Sequence, residues 1–175
     1  LGDAQSALAA AVLDLGLPAA VVLFNGRPLT LVDLDRRASA IVEAWFPGTM
    51  GGLAVARILF GDAEPRGRLP ITFPRSVGQI PIHHDQDPTG RPASSDPYSS
   101  RYLDEDVTPL YPFGWGLSYT SFDFAPPRLD RAVLRSGETV TVSVDVTNSG
   151  ARPGTAIVQL YLRQKVASVT RPLRL

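Results

Sequence analysis

The 175 residues carry 17 basic and 17 acidic side chains and no cysteine. Balanced charge argues against a general binder of nucleic acid or anionic membranes, which needs a basic excess. The missing thiols exclude disulfides, cysteine nucleophiles and cysteine zinc sites, while 44% hydrophobic and 19% charged residues describe globular material for one full domain or two small ones.

Along the chain, residues 3–15 place Leu8, Val12 and Leu15 on one helical face and stop at Gly16, with Pro18 beyond. That spacing predicts a helix. The continuous apolar run 19–24 suits a parallel strand buried on both faces, and Asn25-Gly26-Arg27-Pro28 turns the chain. From Asp33, a candidate N-cap, apolar residues recur at Leu34, Ala38, Ile41, Val42 and Trp45, so a second helix is expected until Pro47-Gly48. Gly51-Gly52 opens a third through Leu53, Ala56, Leu59 and Phe60, closed by Gly61-Asp62. Residues 69–73 read as a last short strand before Pro74. Helix alternating with strand argues for an α/β layered sheet, with too few strands for a complete doubly wound domain.

Residues 83–107 change character, being rich in Pro, Ser, Asp and Gly. A connection of that length is a functional loop, an interface arm or a linker. The run 108–122 then gathers Tyr111, Phe113, Trp115, Tyr119 and Phe122 with Pro109, Pro112, Gly114 and Gly116, and carries no charge. Prolines restrict φ, glycines allow close backbone approach and aromatics bring apolar area, so the run reads as a rigid crossing between two folded units. Beyond it the period becomes two. Val140, Val142, Val144 and Val146 alternate with polar residues, Asn148-Ser149-Gly150 turns, and Val158, Leu160 and Leu162 alternate again. These are sandwich strands, yet an immunoglobulin-like domain takes about 100 residues, so only part of one is expected.

Taken in order, Val22-Leu23-Phe24-Asn25-Gly26-Arg27-Pro28-Leu29, Glu43-Ala44-Trp45-Phe46-Pro47-Gly48-Thr49 and Ile58-Leu59-Phe60-Gly61-Asp62 resemble the α/β sandwich domain of family 3 glycoside hydrolases. Gly67-Arg68-Leu69-Pro70-Ile71-Thr72-Phe73-Pro74-Arg75-Ser76-Val77-Gly78-Gln79-Ile80-Pro81 and Ser100-Arg101-Tyr102-Leu103-Asp104 continue the resemblance. So does Pro109-Leu110-Tyr111-Pro112-Phe113-Gly114-Trp115-Gly116-Leu117-Ser118-Tyr119-Thr120. Val158-Gln159-Leu160-Tyr161-Leu162 resembles the family's fibronectin type III-like tail, and Val166-Ala167-Ser168-Val169-Thr170-Arg171-Pro172 resembles the loop after it. The similarity covers nearly the whole chain and is nearest to the bacterial periplasmic-type β-glucosidases.

The resemblance implies the C-terminal part of an α/β sandwich domain over 1–82 and a long loop with an aromatic linker over 83–122. A partial all-β immunoglobulin or fibronectin type III-like sandwich follows over 123–175. It implies a retaining, exo-acting hydrolase of β-glucosides or oligosaccharides, without cofactor, periplasmic or secreted, and able to form a homodimer. In the family one catalytic carboxylate lies on an N-terminal barrel and the other on a segment upstream of residue 3. No catalytic residue is therefore assigned in this chain, which by itself is expected to be inactive. The chain opens at Leu1 and reads as internal to a longer polypeptide. No apolar run approaches the roughly 20 residues of a membrane span.

Arg101 and Tyr102 are the candidate substrate-binding residues. They sit in the long loop that the resemblance places at the outer cleft or a subunit contact, where arginine can bond bidentately and tyrosine can stack on a sugar face. The alternative role for both is pinning the loop to the seam. Asp104, Glu105 and Asp106 read as a solvated edge, because an acid catalyst needs a carboxyl raised by burial or a like charge. Glu43 reads as structural or surface-exposed. The histidines of His83-His84 point to opposite sides of an extended segment, a poor arrangement for one metal. Gly48 to Gly52 lacks the phosphate-loop patterns and reads as a tight helix entry. The other functional class compatible with the sequence is a non-catalytic carbohydrate-binding or interaction module on the same scaffold.

Overall fold

The computed structural model describes residues 1–87, 89–169 and 171–175. Pro88, in the polar run after the paired histidines, and Thr170, in the last quoted motif, lie outside the described residues. Helix α1 covers Asp3–Leu13. Its expected inward face is not the buried one. Leu8 and Leu15 are 67% and 69% exposed, and Ala9 and Leu13 meet the core instead. The helix is apolar nearly all round, so spacing alone fits more than one face.

Strand β1, Ala20–Leu23, is followed by α2, Val32–Arg37, and β2, Ala40–Glu43. The two strands pair in parallel, Ala20 opposite Ala40 through Leu23 opposite Glu43. Here the expected helix from Asp33 to Trp45 is corrected. It ends at Arg37, with Ala38 already extended, and Leu31 rather than Asp33 takes the cap position. Ile41 and Val42 are β-branched and stiff at χ1. A helix continuing through them would leave β1 without a partner for its backbone groups.

Helix α3, Gly51–Leu59, begins where sequence spacing placed it. Gly51 is required by packing, since a Cβ there would lie 2.5 Å from Pro47 Cγ. The expected strand at 69–73 is corrected to a discontinuous pairing with the aromatic crossing. The Leu69 N–H donates to the Trp115 carbonyl at 2.8 Å, Gly114 N–H to Leu69 at 2.7 Å, and Phe73 N–H to Tyr111 at 2.8 Å. Only Phe73 and Tyr111 form a bridge in the strand sense. Pro70 and Pro112 cannot donate, so no continuous ladder develops. Leu23, Leu31, Leu34 and Phe73 make the buried core, lined by Trp45, Leu69 and Tyr111.

After the crossing, β3, Phe122–Phe124, pairs antiparallel with β6, Val146–Asn148. Strand β4, Arg128–Leu129, pairs antiparallel with β5, Val142–Ser143. Val140, Val142, Val144 and Val146 are half-buried while their neighbours are exposed, as the alternation predicts. The stretch 158–162 inverts expectation. Leu160 and Leu162 are 60% and 72% exposed, whereas Gln159 and Tyr161 face the protein. Among the described residues no helix is long and apolar enough to cross a membrane.

Candidate functional site

The long loop meets the α/β region along residues 70–82. A turn of 3-10 helix, Val77–Gln79, presents Gln79 inward, and the amide is 2% exposed. Its Oε1 accepts the Arg75 N–H at 2.7 Å. Its Nε2 donates to the carbonyls of Asp106 at 2.7 Å and Thr108 at 3.2 Å. The Arg75 Nε adds a bond to the Thr108 carbonyl at 2.9 Å, and the Ser76 hydroxyl donates to Glu105 Oε2 at 2.5 Å.

Above this turn lies an open cleft of about 260 Å³ lined by Ser76, Gly78, Tyr102, Asp104 and Glu105. Of the two residues singled out from sequence, Tyr102 lines the cleft and is 41% exposed. Arg101 is exposed and is not among its lining residues. The loop thus divides the pair. A half-exposed phenol over a polar floor offers an apolar face and a hydrogen-bonding tip together.

A second cleft of about 190 Å³ lies at the seam, lined by residues that include Ile71, Thr72, His83, His84 and Phe113. His84 stacks on Phe113 with ring centroids 4.1 Å apart and meets the edge of Tyr161 at 6.4 Å. His84 is therefore engaged in aromatic packing between loop, crossing and tail.

The carboxylates divide by surroundings. Asp106 is held below its usual range, first by the Thr108 N–H at 3.0 Å, with the Arg75 charge assisting. That is the opposite of what an acid catalyst needs. Glu43, at the end of β2, is raised by burial, partly offset by the Trp45 N–H that donates to it at 3.0 Å and by Asn25. Trp45 takes a left-handed backbone with φ 50°, and Glu43 Oε2 and Asn25 Oδ1 are buried without a partner. Glu64 is lowered, chiefly by the Ser118 hydroxyl at 2.5 Å and then by the Thr155 N–H, 2.9 Å from Oε2. It ties the end of α3 to the crossing and the tail.

The aromatics of the crossing are packing groups. Trp45, Phe73, Tyr111 and Trp115 form a chain with successive centroids 5.9, 6.2 and 6.3 Å apart. The Tyr111 hydroxyl donates to Asp35 at 2.6 Å, and burial, with that carboxylate beside it, raises the phenol well above its ordinary range. Sequence reasoning missed Gln79. No spacing marks it, because its partners are carbonyls 27 and 29 residues further on.

Residues 1–119 match the glycosyl hydrolase family 3 C-terminal domain. A periplasmic beta-glucosidase of Salmonella typhimurium is 49% identical over 175 residues, covering 98% of this chain and 23% of that protein. A beta-xylosidase of Formosa agariphila is 42% identical over 171 residues, covering 98% and 23%. The crystal structure of a beta-glucosidase from Listeria innocua in complex with glucose superposes with a TM-score of 0.93 at 40% identity, over 98% of this chain and 24% of that one. The chain thus spans about a quarter of the length of the relatives it matches.

Proposed function

Since the chain belongs to glycosyl hydrolase family 3, matching its C-terminal domain, we propose that it is part of a retaining, exo-acting β-glucosidase-type enzyme. In this reading residues 1–82 complete an α/β sandwich, 83–122 form the loop and aromatic linker, and 123–175 begin a fibronectin type III-like domain. The catalytic pair lies outside the chain, on a barrel and on a segment N-terminal to it. In retaining hydrolases the two carboxyls stand about 5–5.5 Å apart, one as nucleophile and one as acid and then base. This chain supplies scaffold and one wall of the substrate cleft. Tyr102 stacks on a sugar ring there, and Arg101 reaches a saccharide hydroxyl or a neighbouring subunit of a homodimer. The enzyme works in the periplasm or outside the cell on β-glucosides or oligosaccharides.

One observation carries this reading: the Tyr102 cleft is open to solvent and sets the phenol beside the side chains of Ser76, Asp104 and Glu105. Such a surface offers a sugar ring a stacking face and hydrogen-bonding groups together. The exposed apolar residues Leu8, Val12, Leu160 and Leu162 also suit faces covered by further parts of a larger protein. The test is hydrolysis of an aryl β-glucoside by the longer gene product and by the 175-residue chain alone. Activity is expected only in the longer protein. Hydrolysis by the short chain, or none by a well-folded long one, would overturn the proposal.

A further inference from the structure

Among the described residues, the buried polar side chains are Thr72 and Gln79. A buried amide is costly unless its donors and acceptor are met, and all of those of Gln79 are. Its acceptor takes the Arg75 N–H while its two donors take the Asp106 and Thr108 carbonyls. Those partners also settle the amide's orientation, since the reverse would set an oxygen against two carbonyls.

The loop on either side of Tyr102 is held very differently. Residues 89–100 bond among themselves: Thr89 Oγ1 with Ser100 Oγ at 2.9 Å, Ser100 N–H with the Arg91 carbonyl at 2.8 Å, and Tyr98 N–H with Asp96 at 2.9 Å. Residues 105–108 instead bond outward, to Arg75, Ser76 and Gln79. Tyr102 stands between the self-contained arm and the anchored one, so the anchor sets where its ring lies.

We infer that Gln79 is a positioning residue for saccharide binding: it latches the 105–108 segment and thereby holds Tyr102 in the cleft wall against a pyranose ring. The inference rests on the proposed role of Tyr102. The latch acts on substrate held at that wall and takes no part in bond breaking, so its loss weakens binding more than turnover.

The test uses the full-length enzyme with a β-linked glucose disaccharide. Gln79→Leu removes all three hydrogen bonds at similar volume. Gln79→Glu keeps the acceptor but sets a second oxygen against the carbonyls. Both are expected to raise KM roughly three- to tenfold with kcat changed less than about twofold. Tyr102→Ala should raise KM similarly, and the Gln79→Leu/Tyr102→Ala double variant should add little to it. Hydrogen exchange over 105–108 should quicken in Gln79→Leu. Should both Gln79 variants fold poorly, Ser76→Ala releases only the Glu105 tether and should shift KM in the same direction by less. Additive effects of Gln79 and Tyr102, or unchanged exchange over 105–108, would overturn the latch. Faster exchange with an unaltered KM in Tyr102→Ala would overturn the saccharide role alone, separating failure of the cleft reading from failure of the latch.

Discussion

The α/β portion and the tail after residue 122 are both written with sound apolar patterns, and only one of them acquires a buried core. In the first, Leu23, Leu31, Leu34 and Phe73 fall below a tenth exposed. In the tail no described residue is buried, although Val140 to Val146 alternate correctly between half-buried and exposed. Alternation decides which face of a strand is apolar, but burial requires a second layer to receive that face. β1 and β2 have helices and the aromatic crossing against them. The paired strands β3–β6 and β4–β5 have no opposing sheet among the described residues. The inverted stretch at 158–162 makes the same point, since it turns its polar side inward because that side finds partners. Gln159 donates to the Gly114 carbonyl at 3.3 Å, and Tyr161 donates to Gln159 at 2.8 Å. Gly114 has φ +79° and a Cβ there would collide with Gln159, so the crossing is shaped to admit this contact.

The strongest way to break the contrast is at Phe73, which is 1% exposed and touches Trp45 and Tyr111. Phe73→Ala should cost about 3–5 kcal/mol in urea unfolding. Val144→Ala in the tail should cost under about 1.5 kcal/mol, because only part of its side chain leaves water. Equal costs would show that the tail has a core of its own.

A smaller effect sharpens how the two regions are joined. Glu64 is lowered by the Ser118 hydroxyl and the Thr155 N–H, and the seam also contains Arg152, which donates to the Gly61 carbonyl at 2.7 Å. A carboxyl with a depressed folded pKa stabilises above its unfolded value, about 4.3, and that stability is lost as pH falls through the folded value. Hydrogen exchange at the Thr155 amide should therefore quicken as pH drops below about 4, once the intrinsic pH dependence of exchange is removed. In Glu64→Gln the exchange should be faster at neutral pH and nearly flat across that window. A wild-type profile without the acid step would remove Glu64 from the seam.

The smallest expected effect lies inside the α/β region and has the opposite sign. Glu43 is raised by burial, so its contribution is fully present below the unfolded pKa and is lost as pH rises through the folded value. Glu43→Gln keeps an acceptor for the Trp45 N–H and replaces the buried, partnerless Oε2 with an uncharged amide group. The variant should melt slightly higher than wild type at pH 7, with the gain vanishing near pH 4. A lower melting point at pH 7 would mean that the charged form is held by a partner and that desolvation does not dominate.

Much of this was legible in the residues. The motifs from Val22 to Tyr119 carry the family, and the Gly51 entry to α3 is written in its glycines. Arg101 and Tyr102 both sit on the long loop, but neighbours on an extended segment point apart, and of the two Tyr102 lines the cleft. Reading 33–45 as one helix failed because Ile41 and Val42 fit both periods in so short a run. What decided between them was β1 alongside, needing a partner.

The amino-acid sequence by itself determined the family, the first helix and strand, the entry to α3, the valine face of the tail and the presence of an aromatic crossing. Those properties follow from side-chain type and spacing, which are local. Tertiary structure alone decided that the crossing pairs with 69–73, that α1 turns Ala9 and Leu13 toward the core instead of Leu8 and Val12, and that Gln79 holds the cleft loop. Each of these depends on which surfaces and carbonyls arrive from far along the chain, and local spacing carries no record of them.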